Sequence, residues 1–313
     1  MTAHTPRAKN LALAHPKDGT VMKVFLTGAT GYVGSAVLAR LLTDGHEVVA
    51  HARSVESADR LLPGAVPAIG ELTDAGWLRE HVDHSDGVIH TASPNDATSE
   101  AFDTAFLDAV LPILAGSDRP LVHTGGTWIH GSGIGIDENT PANPPPIVAW
   151  RPAVLDRVRA AASDGIRTVM IAPANIYGDG GGIPAMLAYG PTTEDSEPAL
   201  LVVGGDQHLA NVHRADIAAL YTLALTDAPA GSYYLGANRD SPTMTEIAKA
   251  VSVARGLDGR IAPERLEESR QRLGPFADAV LIDAQIDCQR AHNLGWRPSG
   301  PSLLDDLATI GNS

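Results

Sequence analysis

A single cysteine, Cys288, stands in 313 residues, which excludes an intramolecular disulfide and any cysteine-built metal cluster and fits a reducing cytoplasm. No run of about 18 apolar residues occurs, so nothing is expected to span a membrane. Positive charge is scarce too: 23 Lys and Arg against 37 Asp and Glu give a formal net charge of -14, which argues against nucleic acid or an anionic membrane surface as a partner. The 12 histidines are scattered without His-Glu-x-x-His or comparable ligand spacing, so no metal site is expected. Residues 1–21 lack the long apolar stretch of a signal peptide and follow neither a helical nor a strand period. They read as a mobile tail, with Met22 as an alternative start just ahead of the first strand. No internal repeat is visible.

What is present is concentrated in Val24 to Gly34, VFLTGATGYVG. Val24, Phe25 and Leu26 form a short apolar strand. Gly28, Gly31 and Gly34 then recur at every third residue into a helical pattern through Val37, Leu38, Leu41 and Leu42. The first glycine permits a tight turn, the second lets backbone approach a pyrophosphate, and the third lets the helix lie close on the strand. Gly28, Thr30, Gly31, Tyr32, Val33 and Gly34 are therefore expected to cradle a dinucleotide, its charge met by free N–H groups and the positive end of the helix dipole.

Strand and helix alternate onward. Strands are expected at 47–52, 66–69, 87–91, 120–124 and 168–172, with helices ending near Val82 and spanning 99–115 and 151–163. Such alternation needs right-handed crossovers, hence an α/β fold with a doubly wound parallel sheet of the Rossmann type. After Pro184 the pattern loosens. Residues 22–180 are expected to form the dinucleotide-binding domain, and 181–313 mainly a smaller substrate lobe with some segments returning to the first. A polar loop at 191–198 is a candidate lid over the substrate.

TGATGYVG at 27–34, IAPANIYG at 171–178, NVHRADIAALYTLAL at 211–225 and LGWRP at 294–298 together resemble an extended short-chain dehydrogenase/reductase, the group that holds NAD-dependent epimerases and dehydratases. The resemblance runs from residue 23 to about 308. It implies that Glu71 and Leu72 lie near the adenine, that Thr91, Ala92 and Ser93 flank ribose and pyrophosphate, that Thr124 closes the fifth strand beside the cofactor, and that Pro173, Ala174, Asn175 and Ile176 border the nicotinamide. It implies chiefly structural roles for His213 and Asp216, a small-molecule substrate, and a homodimer as the common assembly. Where enzymes preferring NAD carry an acid for the ribose 2′-hydroxyl, this chain has Ala52 followed by Arg53 and Ser54. An acid would repel a 2′-phosphate, whereas a guanidinium offers it charge-assisted donors, so NADP(H) is favoured over NAD(H).

The group's usual Tyr, Lys and Ser relay does not carry over. The relay segment reads PPPIVAWRPAVLDRV at 144–158, with no Tyr between Tyr32 and Tyr177 and no Lys between Lys23 and Lys249, and the usual serine position falls on Gly126. The replacement candidates are Thr127, one residue past that position; Trp150 as a pocket wall; Arg151 as a fixed positive charge for a developing oxyanion; and Tyr177 as an ionisable hydroxyl. Each has a plainer alternative: a turn residue for Thr127, a helix opening for Arg151, packing for Tyr177. Three functions remain open: an NADP(H)-dependent oxidoreductase acting on a carbonyl or imine with a non-standard proton donor, a redox-neutral isomerase, epimerase or dehydratase, and a non-catalytic dinucleotide-binding sensor or scaffold. Deleting residues 1–21 is expected to leave cofactor affinity unchanged in a fluorescence titration; a large loss would give that segment a binding role.

Overall fold

The computed structural model describes residues 21–310, so all but Val21 of the expected tail lies outside the described residues. The strands are β1 (Lys23–Thr27), β2 (Glu47–Ala52), β3 (Val66–Ile69), β4 (Gly87–His90), β5 (Pro120–Thr124), β6 (Gly133–Ile136), β7 (Arg167–Pro173), β8 (Asn175–Gly178), β9 (Leu200–Val202), β10 (Asn211–His213), β11 (Ser232–Gly236), β12 (Ile261–Pro263) and β13 (Ala284–Ile286). The helices are α1 (Tyr32–Thr43), α2 (Val55–Ala58), α3 (Ala75–Asp83), α4 (Ser99–Leu114), α5 (Arg151–Ala160), α6 (Gly182–Ala188), α7 (Arg214–Asp227), α8 (Met244–Ala254), α9 (Leu266–Leu273), α10 (Phe276–Ala279), α11 (Gln289–Leu294) and α12 (Leu303–Ile310).

Seven strands form one parallel sheet in the order β11-β7-β5-β4-β1-β2-β3. The order reverses between β1 and β4, and open α/β sheets bind ligands in the crevice outside the strand ends at such a point. All four residues of β4 and the first four of β5 are buried, as strands covered on both faces must be. Helix α7 packs against α1 on one face, while α3, α4 and α5 line up on the other. Val24, Phe25, Leu26, Val88, Ile89, Leu121 and Val122 lie at the centre of the resulting core, each fully buried.

A second hydrophobic cluster joins Ile183 and Leu187 of α6, Leu200 and Val202 of β9, Met244, Ile247 and Val251 of α8, and Leu303 and Leu307 of α12. Helix α8 starts where its sequence dictates: the Thr243 hydroxyl accepts from the Glu246 N–H, and the Glu246 carboxylate accepts from the Thr243 N–H. Chain beyond residue 181 also returns to the main sheet, because β11 pairs with β7 and α7 covers it. The 191–198 loop folds against β9, with Leu201 N–H donating to the Pro191 carbonyl and Ala199 N–H to the Thr193 hydroxyl. No helix among the described residues is long and apolar enough to cross a membrane.

The β1–α1 junction tolerates no side chain at two of its glycines. Gly28 has φ +74°, and a Cβ there would stand 2.7 Å from the Ala92 nitrogen, while a Cβ on Gly34 would drive into the Gly28 carbonyl. At Gly31 a Cβ would meet only the Gly28 oxygen, at 3.2 Å. Gly34→Ala is therefore expected to cost about 3 kcal/mol in denaturant unfolding, and Gly31→Ala no more than about 0.5 kcal/mol. Equal losses would mean that the close helix–strand approach is not what the glycines protect.

Candidate functional site

The first turn of α1 opens on Gly31, an exposed residue whose extended backbone lends the helix no side-chain cap. The leading N–H groups of a helix have no intrahelical acceptor, so this end is built to receive an anion. Gly28, Thr30 and Gly31 lie in the bend ahead of α1, and Tyr32, Val33 and Gly34 in its first turn. Thr91 stands across from it and fixes β4 to β1 by donating its hydroxyl to the Thr27 carbonyl at 2.7 Å. The residues present thus fit a dinucleotide diphosphate: a bare helix end, an open Gly31, and a wall formed by Thr91 and Ala92.

Sequence reasoning missed the cation beside this turn. Arg214, the first residue of α7, donates from Nε to the Tyr32 carbonyl at 2.7 Å and from a terminal nitrogen to the Ser35 hydroxyl at 2.6 Å, with its guanidinium 4.9 Å from the centre of the Tyr32 ring. Tyr32 in turn donates its hydroxyl to the Gly178 carbonyl at 2.6 Å, and burial pushes its pKa up to about 12. Only the histidine and aspartate of the 211–225 segment had stood out by resemblance. Those two prove to be ties: His213 Nδ1 accepts from the Ala215 N–H, and Asp216 accepts from the Ser299 and Gly300 N–H groups.

At the end of β2, Ala52 is buried and Arg53 exposed, with no ion pair or hydrogen bond among the described residues. Ser54 is committed elsewhere, accepting from the Ser57 N–H as the cap of α2. Glu71 is exposed and Leu72 buried beyond β3; Ser93 packs its hydroxyl near Ser99 at the start of α4. Pro173 ends β7 and Ala174 links it to β8, while Asn175 is held by its side chain to the Ala210 carbonyl at 2.8 Å.

Beyond β5 the relay region takes an unusual form. Thr124 donates to the His90 carbonyl at 2.7 Å and meets the Tyr221 hydroxyl at 2.7 Å, so its oxygen is engaged. Gly126 is extended, and a Cβ there would meet nothing within 4 Å. Thr127 follows in a 3₁₀ turn, 5% exposed, and its hydroxyl makes no hydrogen bond among the described residues. Arg151 opens α5 with its guanidinium 4.4 Å from the Trp150 ring centre, and a small gap lined by Gly125, Gly126, Arg151 and Met170 separates it from the strand end. The structure thus gathers Trp150, Arg151 and the Gly126 turn, leaving room where the usual serine would project.

A profile of the NAD-dependent epimerase/dehydratase family matches residues 24–236. The chain belongs to that family. An uncharacterised protein of Schizosaccharomyces pombe is 31% identical over 92% of this chain and 99% of its own. A dihydroquinoline-oxide ketoreductase of Stigmatella aurantiaca is 27% identical over 68% of this chain and 67% of its own. Among solved structures, the NAD complex of UDP-glucose 4-epimerase from Thermus thermophilus superposes with a TM-score of 0.72 at 20% identity, covering 92% of this chain and 98% of the other.

Of the two readings of Tyr177, catalytic hydroxyl or packing residue, its surroundings agree with the second. It is 1% exposed, donates its hydroxyl to the Pro301 carbonyl at 2.5 Å and accepts from the Asn238 amide at 2.7 Å, and burial pushes its pKa well above the phenol range. Its hydroxyl ties the C-terminal segment to β8. Beside the Arg151 gap lies a cavity of about 350 Å³ whose walls include Ile129, His130, Glu138, Leu155, Arg159 and Tyr233. Glu138 and Tyr233 come from segments that no motif marked. Burial raises the Glu138 carboxyl pKa while its oxygen accepts from the Leu235 N–H at 3.0 Å.

A second surprise concerns metal ligands. His90, Asp103 and His123 bring their ligating atoms within 4.8 Å of one another, a grouping that spacing along the chain concealed. Burial holds both imidazole pKa values down, that of His123 at about 3. Burial alone would raise the Asp103 pKa, but His90, His123 and Arg151 hold it below the usual carboxylate range.

Tyr177→Phe is expected to cost about 1–2 kcal/mol in stability through the lost hydroxyl contacts, with dinucleotide affinity and turnover unchanged. Loss of turnover in a folded variant would return Tyr177 to the catalytic set.

Proposed function

We propose that the chain is an NADP(H)-dependent oxidoreductase acting on the carbonyl or imine of a small metabolite. The observation that carries this reading is Arg53: an exposed guanidinium without an acidic partner among the described residues, directly after the strand whose end faces the adenosine ribose in folds of this type. An NAD-type acid is absent there, and a 2′-phosphate would give Arg53 the bidentate partner it lacks. The name of the Stigmatella relative, a ketoreductase, agrees with carbonyl reduction.

The dinucleotide, when bound, supplies a hydride to the carbon of the substrate's C=O or C=N bond. The protein then has to hold the heteroatom and deliver a proton. Arg151 takes the first task, since its guanidinium stays charged and opposes the negative charge that grows on oxygen. Trp150 holds that guanidinium by its ring face and walls the pocket. Thr127 takes the second task as the hydroxyl that passes a proton from solvent, its oxygen being uncommitted.

A nucleotide-sugar substrate draws less support, because four of five candidate arginines for its diphosphate are already paired, and Arg239 alone is exposed with no ion pair or hydrogen bond among the described residues. Arg265 binds Glu268, Arg270 binds Asp278, Arg272 binds Glu264, and Arg214 is tied to Tyr32, Ser35 and Asp179. Product formation without net cofactor change would nevertheless mark a redox-neutral isomerase, epimerase or dehydratase. Tight binding without turnover across a broad carbonyl and imine panel would mark a sensor.

Two variants test the proposal. Arg53→Glu is expected to weaken NADPH at least tenfold while leaving NADH within about twofold, measured by fluorescence titration. Arg151→Met is expected to lower turnover about 100-fold with NADPH affinity intact. Equal affinity of the wild-type protein for NADPH and NADH would defeat the cofactor assignment.

A further inference from the structure

We infer that His90, Asp103 and His123 form a buried binding site for one divalent transition metal ion of the zinc class, set beneath the ligand crevice. His90 ends β4, His123 is the penultimate residue of β5, and Asp103 projects from α4; their exposures are 1%, 0% and 4%. The site lies within electrostatic reach of Arg151, but it does not depend on which substrate or dinucleotide the protein takes.

The hydrogen-bond arithmetic points to a cation. His123 Nδ1 faces the Thr124 carbonyl at 3.2 Å, and a carbonyl can only accept, so the proton sits on Nδ1 and Nε2 carries a bare lone pair. That Nε2 is buried and has no hydrogen-bond partner among the described residues. His90 Nδ1 lies 2.8 Å from the Thr27 hydroxyl, which can donate or accept. Its Nε2 is also buried without a hydrogen-bond partner, 3.5 Å from an Asp103 carboxylate oxygen.

If Nδ1 of His90 carries the proton, two bare nitrogens and a carboxylate converge with no proton among them. If Nε2 carries it, the contact to Asp103 is long and the His123 lone pair is still unmet. A proton therefore satisfies at most part of the cluster in either tautomer, whereas an ion taking two neutral imidazoles and a carboxylate satisfies all three.

One of the three ligand separations already has the size such an ion needs, within a group whose ligating atoms lie within 4.8 Å of one another and would close in on binding. Two ligands of a tetrahedral ion with bonds of about 2.0–2.1 Å lie about 3.4 Å apart, and the His90–Asp103 separation of 3.5 Å already matches. The Thr27 hydroxyl and the Thr124 carbonyl supply the outer contacts that orient metal-bound imidazoles. Phe106, stacked on His90 with ring centres 3.6 Å apart, seals one side of that imidazole. Bound there, the ion would brace α4 against β4 and β5.

The test uses the full-length protein, stripped with a chelator and titrated with Co²⁺ and then Zn²⁺. The expected result is one saturable equivalent of Co²⁺ with the intense visible bands of a low-coordinate ion, displacement by Zn²⁺, and a Zn²⁺-dependent rise in Tm of several degrees. His123→Gln and Asp103→Asn should each lower the bound metal below a tenth of an equivalent. If both variants fail to fold, X-ray absorption on the zinc-loaded wild-type protein decides, with scattering from two imidazoles supporting the site and its absence overturning it. Failure to bind a stoichiometric equivalent, or binding unchanged in both folded variants, overturns the inference and leaves the cluster to a shared proton or a water.

Discussion

The close contact between β1 and α1 is the constraint on which the rest of the molecule depends. Gly28 lies against the Thr91–Ala92 peptide and Gly34 against Gly28, with no space for a Cβ at either position. That contact aims the bare end of α1 at the crevice where the strand order reverses. It also brings the ends of β1 and β4 together, so that Thr27, His90 and Thr91 share a hydrogen-bonded patch directly below. Shifting the helix outward by the width of a methyl group would dilute the anion site and separate this patch in a single movement.

The same scaffold carries an altered chemical end. In place of a phenol and an amine stand an indole and a guanidinium at the start of α5, and in place of a serine stands Gly126 with open space around it. A guanidinium cannot give up its proton at ordinary pH, so the function proposed above separates charge stabilisation from proton delivery. The cavity near Glu138 and Tyr233 adjoins that altered end and is lined by segments outside the motifs read from the sequence.

Much of the fold was legible because buried parallel strands write continuous apolar runs. Glu47–Ala52, Val66–Ile69 and Pro120–Thr124 fall where the sequence suggests, and the glycine turn announces its own geometry. The short strands β6, β8, β10, β12 and β13 were not legible, since three- or four-residue strands have too little periodicity and owe their existence to distant partners. Site residues divide in the same way. Gly28 and Gly34 could be read from local spacing, whereas Arg214, Glu138 and the His90–Asp103–His123 grouping arise only when remote segments meet. Tyr177 misled because a phenol near the expected nicotinamide loop looks reactive in one dimension, while in three its oxygen is enclosed by Pro301 and Asn238.

One arginine gives the molecule a mechanical property. Arg214 reaches back from the start of α7 to the carbonyl of Tyr32, and Tyr32 reaches forward to the carbonyl of Gly178 just ahead of the bend into α6. The nucleotide end of α1 and the doorway to the second hydrophobic cluster are therefore fastened with one clasp. The two side chains thus hold the start of α1 and the bend before α6 at one fixed spacing, although Tyr32 and Gly178 are far apart along the chain.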